Sequence, residues 1–189
     1  MENDVDNWLE KGSKKIMEHI GIRREQKVVD FGCGEGNYTI PAARIVGKRG
    51  VVYGLDKDKD VLGQLMAKAK LLGLENIRTF AIPEGSRISL DSESIDVVLL
   101  YDVLHYYYYP GEEERRKLLR EVYRVLKPNA MLSLYPTHLE SDAEPNLAEV
   151  EQEIEEANFH LDSEYPEMIM LHDKKLEKGR VINFKKYGA

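Results

Sequence analysis

Short apolar runs alternate with amphipathic segments through most of the chain. The apolar runs have the length of buried strands, and they cover residues 28–31, 51–55, 77–82, 95–101 and 130–135. Apolar side chains between these runs recur at helical spacing, which predicts helices over residues 38–46, 57–72 and 112–126. Strands that alternate with helices form mainly parallel sheets with helices on both faces. The pattern therefore predicts a doubly wound α/β fold.

The C-terminal third of the chain adds strands of a different kind. Residues 146–157 have the pattern of an acidic amphipathic helix. Two further strands are predicted near residues 167–171 and 180–184, and the polar stretch between them favours an antiparallel hairpin. We therefore expect a mainly parallel seven-stranded sheet whose last strand is antiparallel.

The N-terminal segment precedes the first strand and is not needed for the sheet. Its apolar residues follow a helical stripe that is interrupted at Gly12, which predicts two short helices. We expect residues 1–22 to form a helical cap and residues 23–189 to form the ligand-binding domain. The cap would pack on the sheet, or it would cover a ligand pocket with Trp8.

Charge and cysteine content exclude several classes of function. The chain of 189 residues has a net charge of -7 and a pI near 5.4, so a nucleic-acid partner is not expected. Cys33 is the only cysteine, which excludes an internal disulfide framework and fits a reducing compartment. The sequence has neither the plan of a signal peptide nor an apolar run of the roughly twenty residues that span a bilayer. We therefore expect a cytoplasmic protein without a membrane span.

A glycine-rich loop follows the first predicted strand, with Gly32, Gly34 and Gly36 at alternate positions. Ligands of parallel sheets bind beyond the carboxyl ends of the strands, where this loop lies. A nicotinamide-binding loop would carry a third glycine where this chain has Asn37. Asp30, at the end of the strand, would repel a pyrophosphate but suits a positively charged ligand. The loop therefore predicts a nucleotide-like ligand that carries positive charge.

Asp56 ends the second predicted strand and faces the same edge of the sheet. A carboxylate at this position accepts hydrogen bonds from both hydroxyls of a ribose. Nearby Asp58 and Asp60 show that acidic residues are common locally, but the position at the strand end favours Asp56 as the ligand-binding residue.

Four segments, in this order, resemble motifs of the class I S-adenosylmethionine-dependent methyltransferases. They are VVDFGCGEGN, VVYGLD, SIDVVLLYDVLHY and VLKPNAMLSL. The subgroup to which the chain is most similar is the ubiquinone/menaquinone-biosynthesis type with a methyltransferase-11 core. The resemblance covers about residues 28–134 and implies a Rossmann-like fold with S-adenosylmethionine as the methyl donor.

The resemblance implies which residues hold the methionine end of the cofactor. Gly32 and its neighbouring backbone would hold the methionine part, with Asp30 close to the amino group, directly or through water. Gly34 and Gly36 would allow close approach of the backbone, and Tyr101 would lie against the methionine part.

The adenosine end is assigned in the same way. Asp56 would bind the ribose, and Lys57 would lie against the adenine. Glu84 would accept a hydrogen bond from the exocyclic amine of adenine, and the Gly85 backbone would meet the ring. In the alternative, residues 82–83 line the adenine.

Candidates for the chemistry follow the fourth and fifth strands. Methyl transfer from a sulfonium is an in-line displacement, and a general base is needed only if the acceptor keeps its proton until attack. His105, Tyr106 and His138 are the candidate catalytic residues. The run of tyrosines at 106–109 is expected to stack on a planar acceptor, to surround the methyl donor, or to pack on the helix beneath it.

The sequence argues against two classes of methyl acceptor. Arsenite methylation requires several cysteines, and catechol-type enzymes require carboxylate ligands for a divalent metal, whereas Asp102 stands alone after strand four. We therefore predict no metal and a small-molecule or lipid-like acceptor; the oligomeric state is left open. The alternatives are a non-catalytic protein that binds S-adenosylmethionine as a regulator or partner, and a nicotinamide oxidoreductase.

Overall fold

The computed structural model describes residues 3–83, 87–139 and 142–188. Its centre is a seven-stranded sheet with the order β3-β2-β1-β4-β5-β7-β6. Strand β7 is antiparallel to both of its neighbours, and the β3-β2-β1-β4-β5 part of the sheet is parallel. The strands are β1 Lys27–Phe31, β2 Val51–Asp56, β3 Ile77–Ala81, β4 Ile95–Tyr101, β5 Leu126–Tyr135, β6 Phe159–His172 and β7 Lys175–Lys186. The predicted fold is confirmed, including the antiparallel last strand.

Helices cover both faces of the sheet. At the N-terminus, α1 and α2 are joined by a π-helical turn at Trp8–Gly12, close to the predicted break. Helix α4 is capped by the side chain of Asp58, and α6 begins with a capping box between Asn146 and Glu149. The helices are α1 Asp4–Asn7, α2 Ser13–His19, α3 Thr39–Val46, α4 Lys59–Leu71, α5 Glu112–Val125 and α6 Leu147–Glu156.

Strand β4 is apolar from Val97 to Tyr101, and the charged Asp96 lies near its start, where it pairs with Lys127. Val97 and Leu99 belong to a core layer that they share with α2, α3 and α4, whereas Val98 and Leu100 belong to a layer shared with α5 and α6. Successive side chains of a strand point to opposite faces, so the part of a strand that is covered on both faces is apolar at every position. The central strands are thus held by two cores, and their carboxyl ends meet at one edge.

The last three strands differ from their predicted bounds. Strand β5 begins at Leu126 rather than at residue 130, because Leu126 already pairs with Ile95 before the register shifts. Asn129 lies in that irregularity with φ of 61°, the left-handed conformation that asparagine tolerates. Strands β6 and β7 are much longer than predicted and are joined only by Asp173 and Lys174, both with positive φ.

The N-terminal segment supports the glycine loop from behind. Trp8 is fully buried, its Nε1 donates to the Asn37 carbonyl oxygen at 2.7 Å, and its ring meets Tyr38 edge-on at 5.3 Å. Trp8 is not among the residues that line the ligand cavity described below. The boundary of the cap at residue 22 stays a prediction.

Among the described residues, no helix combines the length and the apolar character that crossing a bilayer requires.

Candidate functional site

The glycine loop between β1 and α3 is shaped by positive φ angles at all three glycines. At Gly34 the φ of 49° aims the amide at Asp56, and its N–H donates to Asp56 Oδ2 at 2.9 Å. At Gly36 the φ is 88°, and a Cβ there would lie 2.3 Å from Cδ1 of Leu65 on α4. Gly34 therefore ties the loop to β2, whereas Gly36 lets α4 pack against the loop.

A cavity of about 500 Å³ opens beside this loop at the carboxyl edge of the sheet. Its size lies in the range of pockets that bind cofactors. Among the predicted cofactor-binding residues, those that line it are Gly32, Gly34, Asp56, Lys57 and Tyr101. Gly85 and Glu84 lie outside the described residues. Ile82, the alternative residue for the adenine, lines the cavity, whereas Pro83 lines a neighbouring one.

Asp30 lies behind the loop and is not among the residues that line the cavity. Its carboxylate is buried and accepts a hydrogen bond from Thr39 Oγ1 at 2.5 Å. Burial raises the pKa of Asp30 to about 6, the bond from Thr39 opposes that rise, and the charge of Asp56 adds to it. A buried carboxylate of this kind favours a cation nearby. Its closeness to the cofactor's amino group stays a prediction.

The polar atoms around the cavity suit a ligand that donates hydrogen bonds. Asp56 accepts from the Gly34 amide with Oδ2 and from the Asp58 amide with Oδ1, and a carboxylate has lone pairs left for two hydroxyls. Asn37 also lines the cavity, and its buried Oδ1 has no hydrogen-bond partner among the described residues. S-adenosylmethionine carries a ribose, an ammonium and a sulfonium, so these residues fit it. The sequence alone pointed to Asn37 only as a missing glycine.

Two aromatic residues, Tyr38 and Tyr101, line the same cavity. The Tyr101 hydroxyl is within 2.8 Å of Ser133 Oγ, and the Tyr38 ring meets the Tyr101 ring edge-on at 4.8 Å. Tyr38 donates its hydroxyl to the Leu171 carbonyl oxygen at 2.8 Å. Burial raises the pKa of both tyrosines, so they stay neutral. The hydrogen bond from Tyr38 to Leu171 links the residue just before α3 to the end of β6.

The tip of the β6–β7 hairpin closes the same cavity. The cavity is lined by residues 171–174, and Lys174 Nζ lies 3.9 Å from Glu35 Oε1 of the glycine loop. The sequence did not identify this hairpin as part of the site. The sequence offered two roles for the segment with Trp8, packing or covering a pocket, and in the structure Trp8 packs behind the loop.

Asp102 does not stand alone after β4, and that prediction is wrong. The structure brings three imidazoles to its carboxylate: Nε2 of His105 lies 3.1 Å from Oδ1, that of His172 3.7 Å and that of His138 3.9 Å. Thr137 also donates its hydroxyl to Oδ1. Burial would raise the pKa of Asp102, but the bonds from His105 and Thr137 outweigh it and lower that pKa.

The ring nitrogens of His105 both have partners, and its side chain is only 2% exposed. The Tyr107 amide donates to Nδ1 at 3.3 Å, which assigns the ring proton to Nε2, where it points at Asp102. His105 thus holds the Asp102 carboxylate in place. Its predicted role as a base would require one of these bonds to break, and it stays a prediction.

The loop of consecutive tyrosines divides into buried and exposed rings. Tyr109 is buried against Phe31, whereas Tyr106, Tyr107 and Tyr108 are exposed. Lys57 Nζ lies 5.6 Å from the centre of the Tyr108 ring at the mouth of the cofactor cavity. Tyr109 therefore packs on the core, whereas the other three rings of the run are open to solvent.

A second cavity of about 930 Å³ lies on the other side of this loop. Tyr106, Tyr107 and His138 line it together with acidic residues around α6. His138 Nε2 lies 3.1 Å from Nε2 of His172, which lines the first cavity. This pair of histidines therefore lies between the two cavities.

Comparison with known proteins agrees with this geometry. A family model described as a methyltransferase domain, methyltransferase-11, matches residues 29–134, which is more than half of the chain. The chain belongs to the class I S-adenosylmethionine-dependent methyltransferases. S-adenosylmethionine is therefore the cofactor of this methyltransferase, and the predicted family is confirmed.

A curated relative matches part of the chain. Demethylmenaquinone methyltransferase from Staphylococcus aureus strain MRSA252 is 29% identical over 119 residues, which are 63% of this chain and 46% of that protein. The chain thus spans about half the length of this curated relative.

Solved structures share the fold over nearly the whole chain. A methyltransferase from Aquifex aeolicus aligns with a TM-score of 0.73 and 22% identity over 95% of this chain and 91% of that one. A methyltransferase from Methanosarcina mazei aligns with a TM-score of 0.72 and 19% identity over 92% and 98% of the two chains. At these identities the likeness concerns the fold.

Proposed function

We propose that this methyltransferase transfers a methyl group from S-adenosylmethionine to a small-molecule or lipid-like acceptor by in-line displacement. The observation that carries the proposal is that a cavity lies on each side of the contacting pair His138 and His172. One cavity has the glycine loop and Asp56 of a cofactor site. The other leaves room for an acceptor that reaches the first from the opposite side.

The chain's own residues would act mainly by positioning. S-adenosylmethionine supplies an activated methyl group when bound, so alignment and exclusion of water are the main tasks of the protein. Asp56 would hold the ribose hydroxyls, and Asn37 Oδ1 would accept a hydrogen bond from a ligand donor. The hairpin tip at residues 171–174 would keep water from the methyl group.

The acceptor would lie against the exposed tyrosines. Tyr106 and Tyr107 line the second cavity and offer ring faces to a planar or apolar acceptor. The relative from Staphylococcus aureus is named as acting on demethylmenaquinone, so an isoprenoid quinol belongs among the acceptors to be tested. His138 and Tyr106 border this cavity, and either would take a proton from an acceptor that keeps it until attack.

A turnover assay tests the proposal. The purified chain is incubated with S-adenosylmethionine carrying a labelled methyl group and with a panel of phenols, quinols, amines and carboxylic acids. We expect transfer to one class, with Tyr107→Ala losing acceptor affinity while cofactor affinity is unchanged. Cofactor binding without transfer to any acceptor would instead favour a regulatory or partner protein.

A further inference from the structure

The structure places two imidazoles and a carboxylate around one point between the two cavities. Asp102 follows β4, His138 follows β5, and His172 ends β6. Their ligand atoms, Oδ1 and the two Nε2, all lie within 4.8 Å of one another. We propose that Asp102, His138 and His172 form a binding site for a divalent transition-metal ion such as Zn²⁺.

The separations of the ligand atoms match a coordination sphere. Bonds of about 2.1 Å in a tetrahedron put neighbouring ligand atoms about 3.4 Å apart. The two Nε2 atoms are 3.1 Å apart, and Asp102 Oδ1 lies 3.7 Å from that of His172 and 3.9 Å from that of His138. An ion at the centre of this triangle reaches all three with side-chain shifts of a few tenths of an ångström.

A second layer of hydrogen bonds orients the three ligands. His172 Nδ1 lies 2.9 Å from Glu177 Oε1, which assigns the ring proton to Nδ1 and leaves the Nε2 lone pair free to bind an ion. Tyr135 donates its hydroxyl to the same Glu177 oxygen at 3.2 Å. His105 and Thr137 contact Asp102 Oδ1 itself and fix the position of this carboxylate. Metal-binding histidines and carboxylates are commonly supported by such partners.

The backbone at two of the ligands has an uncommon conformation. Asp102 and His138 have φ angles of 59° and 55°, in the left-handed region that few residues other than glycine adopt. The three side chains are 34%, 35% and 12% exposed for Asp102, His138 and His172, so an ion from solution reaches them.

The donor set selects the type of ion. Two imidazole nitrogens and one carboxylate oxygen suit Zn²⁺, Fe²⁺ and similar ions, whereas Ca²⁺ and Mg²⁺ prefer oxygen ligands throughout. Three protein ligands leave at least one position for water or a substrate. Because Asp102 and His172 line the cofactor cavity and His138 lines the other, that substrate is the methyl acceptor.

The consequence for the acceptor rests on the proposed function. An acceptor hydroxyl that binds the ion loses its proton to water, because the ion lowers the pKa of the hydroxyl. The oxygen lone pair then forms the bond to the methyl carbon, and the electron pair of the carbon–sulfur bond remains on sulfur. The acceptor class is thus a hydroxyl compound, and the ion takes the place of a histidine base.

Metal binding is tested on the full chain after treatment with a chelator and dialysis. Zn²⁺ is titrated calorimetrically without any other ligand, and Co²⁺ is added separately to record its visible absorption. We expect one Zn²⁺ per chain and a Co²⁺ spectrum that Zn²⁺ abolishes. His172→Ala and His138→Asn should lose both signals; asparagine suits the left-handed backbone at position 138. His19→Ala, an imidazole outside the cluster, should bind like the unmodified chain.

The variant Glu177→Gln keeps all three ligands and should weaken Zn²⁺ binding by roughly 10–100-fold. Circular dichroism checks that each variant is folded. No Zn²⁺ binding by the unmodified chain, or equal binding by folded His138→Asn, overturns the metal site.

The outcomes for the metal and for the proposed function are separable. Cofactor binding and turnover without Zn²⁺ binding would overturn the metal site alone. Zn²⁺ binding without cofactor binding would overturn the proposed function alone. If both hold, removing the metal should abolish transfer to hydroxyl acceptors and leave cofactor affinity unchanged, and transfer that persists without metal would overturn the role of the ion in the reaction.

Discussion

Asp30 is a buried carboxylate whose environment differs from that of a free side chain. It is buried beneath the glycine loop with one hydroxyl donor, and its pKa is raised from 3.8 to about 6, chiefly by burial. Between these two pH values the folded chain binds more protons than the unfolded chain. This carboxylate therefore lowers the stability of the folded chain as pH rises through that range, and the full cost is present above about pH 6.

Asp30→Asn should raise the free energy of unfolding at neutral pH by up to about 3 kcal/mol, because each unit by which the pKa is raised costs about 1.4 kcal/mol. The asparagine oxygen can still accept the Thr39 hydroxyl. Denaturant unfolding at a series of pH values measures the effect. The fall in stability between pH 3.8 and about 6 should be smaller in the variant. An identical pH profile in both proteins would contradict the assignment.

Asp56→Ala should weaken binding of S-adenosylmethionine by roughly 1–3 kcal/mol, the cost of leaving hydrogen-bonding groups unpaired. Calorimetric titration measures the change. Asp60→Ala removes an exposed carboxylate nearby and should leave the affinity unaltered. An unchanged affinity in Asp56→Ala would refute the assignment of Asp56 to the ribose.

Helices α5 and α6 are joined by a buried ion pair that also fixes the tyrosine loop. Arg115 Nε and Nη2 donate to the two Glu153 oxygens at 2.8 and 2.6 Å, and Nη1 donates to the carbonyl oxygens of Tyr109 and Pro110. Both charged side chains are buried. The loop that borders both cavities therefore depends on a contact between two helices behind it.

Glu153→Gln should lower the free energy of unfolding by about 3–5 kcal/mol, because it leaves the Arg115 charge buried without its partner. Glu113→Gln breaks the exposed pair with Arg120 and should cost no more than about 1 kcal/mol. Denaturant unfolding of the two variants gives the comparison. Equal, small losses would mean that the buried pair does not hold this part of the fold.

Elements with local signals were predictable from the sequence, and elements defined by pairing were not. The bounds of β4 and α5 were predicted to within a residue. Strand β4 is buried on both faces and α5 on one, and each kind of burial leaves a clear pattern of apolar residues. The hairpin was predicted, but its two strands were predicted too short, because its polar residues resemble those of a loop. Those residues form strands through pairing, which local composition does not record.

The same reason explains what was missed in the site. Gly34 lies in the loop after β1 and Asp56 ends β2, and both were identified from these positions. His172 lies 70 residues from Asp102 in the sequence, and only the hairpin brings the two side chains together. A two-residue turn at Asp173 and Lys174 would have been the one local sign that His172 reaches the cavity.

At the scale of the whole molecule, the cofactor cavity joins the two ends of the fold. Its walls come from the glycine loop after β1 and from the hairpin tip at residues 171–174, which Tyr38 links by a hydrogen bond to Leu171. Basic residues of β7 face acidic residues of β6, as in the pairs Lys185–Asp162 and Arg180–Glu164. Lys185 and Arg180 are thus engaged within the hairpin.

Because the cavity joins both ends, cofactor binding should stabilise the whole chain. At about 100 times its Kd, S-adenosylmethionine should raise the free energy of unfolding by about 2.7 kcal/mol. Thermal unfolding with and without the cofactor measures the shift. Hydrogen exchange should slow in the glycine loop and in the hairpin tip together, and slowing in the loop alone would contradict the assignment of the hairpin to the cavity.

The most direct test of the account is a calorimetric titration of the unmodified chain with S-adenosylmethionine, in parallel with NADH. The account predicts one site per chain for S-adenosylmethionine, competition by S-adenosylhomocysteine, and no heat with NADH. Binding of NADH in place of S-adenosylmethionine, or no binding of S-adenosylmethionine at all, would contradict it.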